Sequence, residues 1–222
     1  FQTQKNFVAD VSHELRTPLT ALTGQLHIVR ALREQPEDRR GEKAMDRCER
    51  ELERMVELVE DLLTLMRAED LPVSGENFSG AELMAECVSE MRALFPEVDL
   101  QIRPGDIVLW GQREPIKRAL LNVLENACNY SPFGRPVEVW SEQTDEHCVL
   151  HVLDHGQGVA PEWIPRLGQR FYRPDPSRCR QTGGSGLGLS IVKSTLERHG
   201  GQLLITSELT RFTRVSLQLP RI

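Results

Sequence analysis

The sequence predicts two modules in series: an all-α helical hairpin, closing into a four-helix bundle as a dimer, and an α/β two-layer sandwich. Three features of the 222 residues predict this. Apolar residues recur every seven positions through the first 68 residues, which contain few glycines. From residue 76 onward, helical patterns mix with short strand-like runs. Seven of the 16 glycines fall between Gly156 and Gly188, a concentration that suggests backbone approaching phosphates.

In the first helix, Val8, Leu15, Leu22 and Val29 form one heptad row, and Leu19 and Leu26 form the other. In the second, Met45, Leu52, Val59 and Met66 alternate with Cys48, Met55 and Leu62, and Val56 and Leu63 widen the stripe. The polar stretch REQPEDRRGEK, with Pro36 and Gly41, turns the chain between them. One hairpin cannot bury two stripes this wide, whereas two hairpins packed as a homodimer can. The alternative is a hairpin docked on the rest of its own chain.

A break at EDLPVSGEN, with Pro72 and Gly75, sets the expected organisation: a hairpin domain over 1–68, a linker over 69–75 and a second domain over 76–222. In that second domain AELMAECVSEMRALF reads as a helix, and VDLQIRP and DIVLWG as strands. REPIKRALLNVLENACNYS is a long helix opening near Pro115; PVEVWSEQ and HCVLHVLD are strands. GLSIVKSTLERHGG is a helix closed by glycines, with His199 at its end, and QLLITS and RVSLQLP complete a mostly antiparallel sheet.

Composition narrows the function. Hydrophobic residues at 39% and charged residues at 27% describe a soluble globular chain. No apolar run approaches the roughly 18 residues of a membrane helix. The chain opens on Phe1 without a signal peptide, so we expect a piece of a longer protein with any sensor or membrane region upstream. A net charge of −6 argues against nucleic acid as the main partner. Five scattered cysteines, never in a C-x-x-C pair, suit reduced thiols better than a disulfide framework or zinc ribbon.

The familiar phosphate motifs fail in the glycine-rich segment. GGSGLGLS has the glycine spacing of a P-loop, but Leu189 replaces the required lysine. GQGVAP begins like a dinucleotide fingerprint, but Pro161 stands at the third glycine. The helix around Asn126 is more informative. Ile116, Leu120, Val123 and Ala127 share one face; Asn122, Asn126 and Asn129 share another. Alone, three asparagines on one edge would read as a solvated face. They stand before Tyr130, however, and a later strand ends in Asp154-His155-Gly156-Gln157-Gly158. An amide carbonyl is a hard oxygen suited to Mg²⁺, and an aspartate at a strand end can accept from an adenine amino group. His147, Cys148 and His151 could suggest a metal site, but alternating strand residues point to opposite faces.

Taken in order along nearly the whole chain, FVADVSHELRTPLTAL, LLNVLENACNYSP, DHGQGV, RFYRPDPSR and GGSGLGLSIV resemble the H, N, G1, F and G2 boxes of bacterial sensor histidine kinases. The resemblance implies the two-layer ATPase fold shared with gyrase and related chaperones for residues 76–222. It implies a dimerisation and histidine-phosphotransfer hairpin before it. By motif position it implies that Asn126 ligates Mg²⁺ and Asp154 holds the adenine of ATP. Asn122, Asn129 and Tyr130 would line the pocket, Gly156 and Gly158 would pass close to the nucleotide, and Arg170, Phe171 and Arg173 would belong to a lid. Gly184, Gly186, Leu187, Gly188 and Leu189 would present amides to the phosphates at a helix start, and Thr213 would lie near the adenine. The family usually carries lysine or arginine at the position of Asn129.

The resemblance also implies that His13 is the phosphoryl acceptor. Glu14 beside it can orient the imidazole or take its proton, and Thr17, one helical turn on, can position water for dephosphorylation of a partner. Pro18 removes an amide donor to Glu14 at a cost of about 3 kcal/mol in a helix interior, so a bend beside the histidine is expected. A zinc-protease reading fails because H-E-x-x-H needs histidine where Thr17 stands. The implied activity is ATP-dependent autophosphorylation and transfer to an aspartate of a response regulator, in a full-length protein anchored at the bacterial inner membrane with this part on the cytoplasmic side. Two other classes stay open: a hydrolytic ATPase, which would want a glutamate base where Asn122 stands, and a catalytically silent scaffold.

Overall fold

The computed structural model describes residues 2–31, 40–67, 74–173 and 186–221; within the helices, the side chains of 2–10, 12–14, 16–17, 54, 57 and 64–67 lie outside that description. The chain divides into two compact units, Phe1–Leu63 and Thr64–Ile222.

The first unit is two helices, α1 (Gln2–Ala31) and α2 (Arg40–Arg67). The α1 helix runs on through Pro18. In each helix one predicted apolar row is covered and the other is not. Leu22 on α1 and Cys48 and Leu62 on α2 are buried, whereas Leu19, Leu26, Met45, Leu52, Val59, Val56 and Leu63 are all more than 40% exposed. Within one chain, Ala44 and Leu58 of α2 are also buried, while the heptad row of Met45, Leu52 and Val59 stays exposed. A single chain covers only the stripe turned inward; the adjacent stripe is left as an apolar surface.

The second unit is built on a five-stranded sheet of β2 (Leu100–Arg103), β4 (Val137–Gln143), β5 (His147–Asp154), β7 (Phe212–Pro220) and β6 (Gln202–Glu208), in that spatial order. The β2–β4 pair is parallel and the others are antiparallel. The sequence analysis missed β1 (Glu76–Ser79), which pairs with β3 (Val108–Gly111) in a small separate sheet. Four residues with one apolar side chain carry little strand signal; β1 exists because β3 satisfies its backbone.

Three helices, α3 (Gly80–Leu94), α4 (Arg113–Tyr130) and α5 (Gly188–Arg198), supply the apolar layer packed on the sheet. Ile116, Leu120, Val123 and Ala127 on α4 are buried, as their spacing predicted, with Leu83, Val88 and Met91 from α3 and Val192 and Leu196 from α5. On β5, Cys148, Leu150 and Val152 point into this core. His151, on the other face, is buried beneath Trp140, whose ring stacks on it at 4.7 Å, and its Nδ1 meets Ser216 Oγ at 2.8 Å. Those contacts give His151 a packing role and separate it from Cys148. No helix among the described residues is long and apolar enough to cross a membrane.

Candidate nucleotide site

The end of β5, the C-terminal half of α4 and the start of α5 come together at one edge of the second unit. Asp154 closes β5 and is 6% exposed. Its Oδ1 accepts the Gly156 N–H at 2.9 Å, so the strand end and the turn after it are one unit. Burial pushes its carboxyl up to about 6, against the opposing effects of that N–H and of His155. A carboxylate with one engaged oxygen and an apolar surround is a strong acceptor for an incoming N–H.

Gly156 and Gly158 are required by close approach. A Cβ on Gly156 would lie 2.4 Å from the Tyr130 carbonyl oxygen; one on Gly158, whose φ is +62°, would lie 2.1 Å from the Glu208 carbonyl oxygen. The turn thus packs against the end of α4 on one side and the β6–β7 hairpin on the other. Sequence reading missed Ser207, which fixes this second contact. Its Oγ accepts the Val159 N–H at 2.8 Å and donates to the Phe212 carbonyl at 2.7 Å. Having one proton, it receives the Thr213 hydroxyl at 3.1 Å as acceptor. Thr213 is paired with Asp154 across β5 and β7, so the two residues assigned to the adenine are cross-strand neighbours. A serine in a strand carries no signal for such a role unless the pairing is known.

On α4, Asn122 and Asn126 are half-buried, and Asn129 and Tyr130 are exposed at the helix end. Asn126 Nδ2 donates to the Asn122 carbonyl at 2.9 Å, which fixes the amide and leaves Oδ1 as the side chain's acceptor. Asn122 Nδ2 is buried with no partner among the described residues, leaving a donor that a ligand can satisfy. A Cβ on Gly188 would lie 3.8 Å from Asn122 Cγ and 3.9 Å from Asn126 Nδ2. The first turn of α5 therefore faces both asparagines. That turn has no acidic residue and no side-chain cap, and Ile191 is the first amide bonded back, to Leu187 at 2.9 Å. Among the described residues, the amides of Gly188, Leu189 and Ser190 have no carbonyl partner and are first-turn donors suited to phosphate. Leu187 is fully buried and anchors the turn; the Ser190 hydroxyl donates to its carbonyl.

Phe171, at φ +60°, donates its N–H to the Gly186 carbonyl at 3.1 Å, and Gly186 itself has φ +73°. This bond joins the two sides of residues 174–185, and Arg173 reaches the same point. Arg170 is exposed beside it. Gly184 lies outside the described residues. So do the side chains of His13, Glu14 and Thr17, whose backbone lies in α1 of the other unit.

The sequence pattern of the His Kinase A (phospho-acceptor) domain matches residues 3–71, and that of the histidine kinase-, DNA gyrase B- and HSP90-like ATPases matches residues 111–222. This chain belongs to the sensor histidine kinases. The kinase is 37% identical over 224 residues to the sensor histidine kinase CusS of Escherichia coli K12, an alignment covering 99% of this chain and 46% of that protein. It is 38% identical over 216 residues to the phosphate regulon sensor protein PhoR of Pseudomonas aeruginosa, covering 93% and 47%. The kinase chain spans about half the length of the curated relatives it matches. Among solved structures, the Acinetobacter baumannii histidine kinase AdeS shares the fold with a TM-score of 0.71 at 23% identity, over 93% of this chain and 98% of that one. A mycobacterial sensor histidine kinase, MprB, aligns over 67% of this chain and all of its own with a TM-score of 0.56 at 28% identity.

Proposed function

We propose that this chain is the catalytic core of a sensor kinase that transfers the γ-phosphoryl group of ATP to His13 and then to an aspartate of a response regulator. The observation that carries the reading is the meeting of Gly188 with the side chains of Asn122 and Asn126, which supports a helix N-terminus for phosphates beside the two amides. Asp154 and Thr213 hold the adenine end, and Arg170, Phe171 and Arg173 stand at the lid. Asn126, with its amide fixed by the Asn122 carbonyl, fits Mg²⁺. When bound there, Mg²⁺ would neutralise charge on the triphosphate.

At His13, Glu14 orients the imidazole so that a neutral ring nitrogen attacks the γ-phosphorus; the P–O bond to ADP breaks as the N–P bond forms. Thr17 serves the reverse chemistry, positioning water for the phosphorylated regulator. Asn122 cannot accept a proton from water as a carboxylate would, which disfavours net ATP hydrolysis. The domains are 1–68 for dimerisation and phosphotransfer, 69–75 as linker and 76–222 for ATP. The apolar row left open on α1 and α2 supports a homodimer through this hairpin. The full-length protein is anchored at the inner membrane with this part on the cytoplasmic side.

Incubation with γ-labelled ATP and Mg²⁺ tests the chemistry. A phosphohistidine label is lost in acid and survives base. A label stable in acid would identify a phosphoester and overturn the proposal.

A further inference from the structure

His199 lies at the C-terminal end of α5, far along the helix from Gly188, yet it is 4% exposed and hydrogen-bonded at both ring nitrogens. Nε2 receives the Gln112 N–H at 3.0 Å, and Nδ1 meets the Thr195 carbonyl at 2.7 Å. A backbone amide can only donate, so Nε2 is the acceptor and Nδ1–H donates to Thr195. The imidazole is a neutral, single-tautomer connector between two helices.

The α4 end that it holds is unusual. Gln112 is the N-cap of α4 but offers no side-chain cap, and Pro115 stands at the third helical position, where a capping-box acid would otherwise reach back to the cap amide. The Gln112 N–H is satisfied by His199 instead. Gly111, at φ +147°, makes room: a Cβ there would lie 2.5 Å from His199 Cδ2 and 2.8 Å from Ile116 Cδ1.

The contact at the other end of α5 is the nucleotide edge, where Gly188 faces Asn122 and Asn126. The two helices are thus antiparallel and touch at two marked points. From Gly188 to His199 is about 16 Å of helix, and from Gln112 to Asn122 about 15 Å, at roughly 1.5 Å per residue. These lengths match, so fixing one end fixes the register of the other. We infer that His199 is a positioning residue that sets the register of α5 against α4 and thereby places the phosphate-facing amides opposite Asn126. The adenine end, built on β5 and the β6–β7 hairpin, does not depend on that register. The inference rests on the nucleotide reading above.

The experiment measures affinity for two probes, a non-hydrolysable ATP analogue with Mg²⁺ and plain adenosine, at a temperature where every variant is folded. His199→Leu should weaken the ATP analogue roughly tenfold, as for loss of one buried hydrogen bond, and leave adenosine within about twofold. His199→Gln, whose Oε1 can accept from Gln112, should restore the analogue. Should His199→Leu fail to fold, His199→Phe keeps a flat ring but offers no acceptor to the Gln112 N–H, and should give the same selective loss. Equal weakening of both probes, no weakening of the analogue, or failure of His199→Gln to rescue would each overturn the inference. Wild-type protein that binds neither probe would instead overturn the nucleotide reading itself, and this inference with it.

Discussion

Asp154 gives the most quantitative prediction. Burial raises its carboxyl to about 6, so the group changes charge within an accessible pH range. Adenine needs the carboxylate as acceptor, and a proton on that oxygen competes with the ligand. For one competing proton, affinity falls by a factor of about 11 at pH 5 and only about 1.1 at pH 7. Adenosine is the ligand of choice because it has no phosphate to titrate. Asp154→Asn keeps an oxygen for the Gly156 N–H but loses the charge, so adenosine binding should weaken by roughly fivefold at pH 7.5 and become flat between pH 5 and 8. Stability should move the other way. A carboxyl whose folded pKa is raised costs stability above that pKa and recovers it as pH falls from about 6 towards the unfolded value of 3.8. The amide removes that cost, so Asp154→Asn should stabilise the ligand-free protein at pH 8 by up to about 3 kcal/mol. Calorimetric titration with adenosine across pH, and denaturant melts at pH 8, check both. Wild-type affinity that is unchanged between pH 5 and 8 would refute the reasoning.

Gly158→Ala must adopt a left-handed φ and collide with the Glu208 carbonyl, so it should destabilise the second unit by more than about 1–2 kcal/mol, read as a shifted denaturation midpoint. Asn129→Lys should tighten ATP more than ADP, because a charged donor at the exposed end of α4 addresses the γ-phosphate better than an amide; an unchanged ATP-to-ADP affinity ratio would argue that residue 129 does not face it. Thr17→Ala should keep autophosphorylation and lose phosphatase activity toward a phosphorylated regulator, with equal loss of both indicating a role in holding the helix.

The buried faces were legible where periodicity reports burial directly. Ile116, Leu120, Val123 and Ala127 on α4 are the case in point, since a helix turned once against a sheet has only one inward stripe. The hairpin was less legible. Its heptads show which residues avoid water but not which row the partner helix covers, and Ala44, too small to mark a stripe, turned out buried. Pairing was illegible: nothing local assigns β3 to β1 rather than to the main sheet. The glycines and asparagines of the site stood out because their chemistry is unusual in a helix or at a strand end. Ser207 and the bonding of His199 did not, because each acts through a backbone N–H distant in sequence, 48 and 87 residues away.

The central claim is that the phosphoryl group ends on His13 while the nucleotide is held in another unit of the chain. It is tested most directly by comparing wild type with His13→Gln in parallel, measuring γ-label incorporation and affinity for the ATP analogue on the same preparations. The account predicts that label disappears while nucleotide affinity stays within about twofold of wild type, since the acceptor and the residues proposed for the pocket belong to separate units. Label that persists on the His13→Gln protein would contradict it.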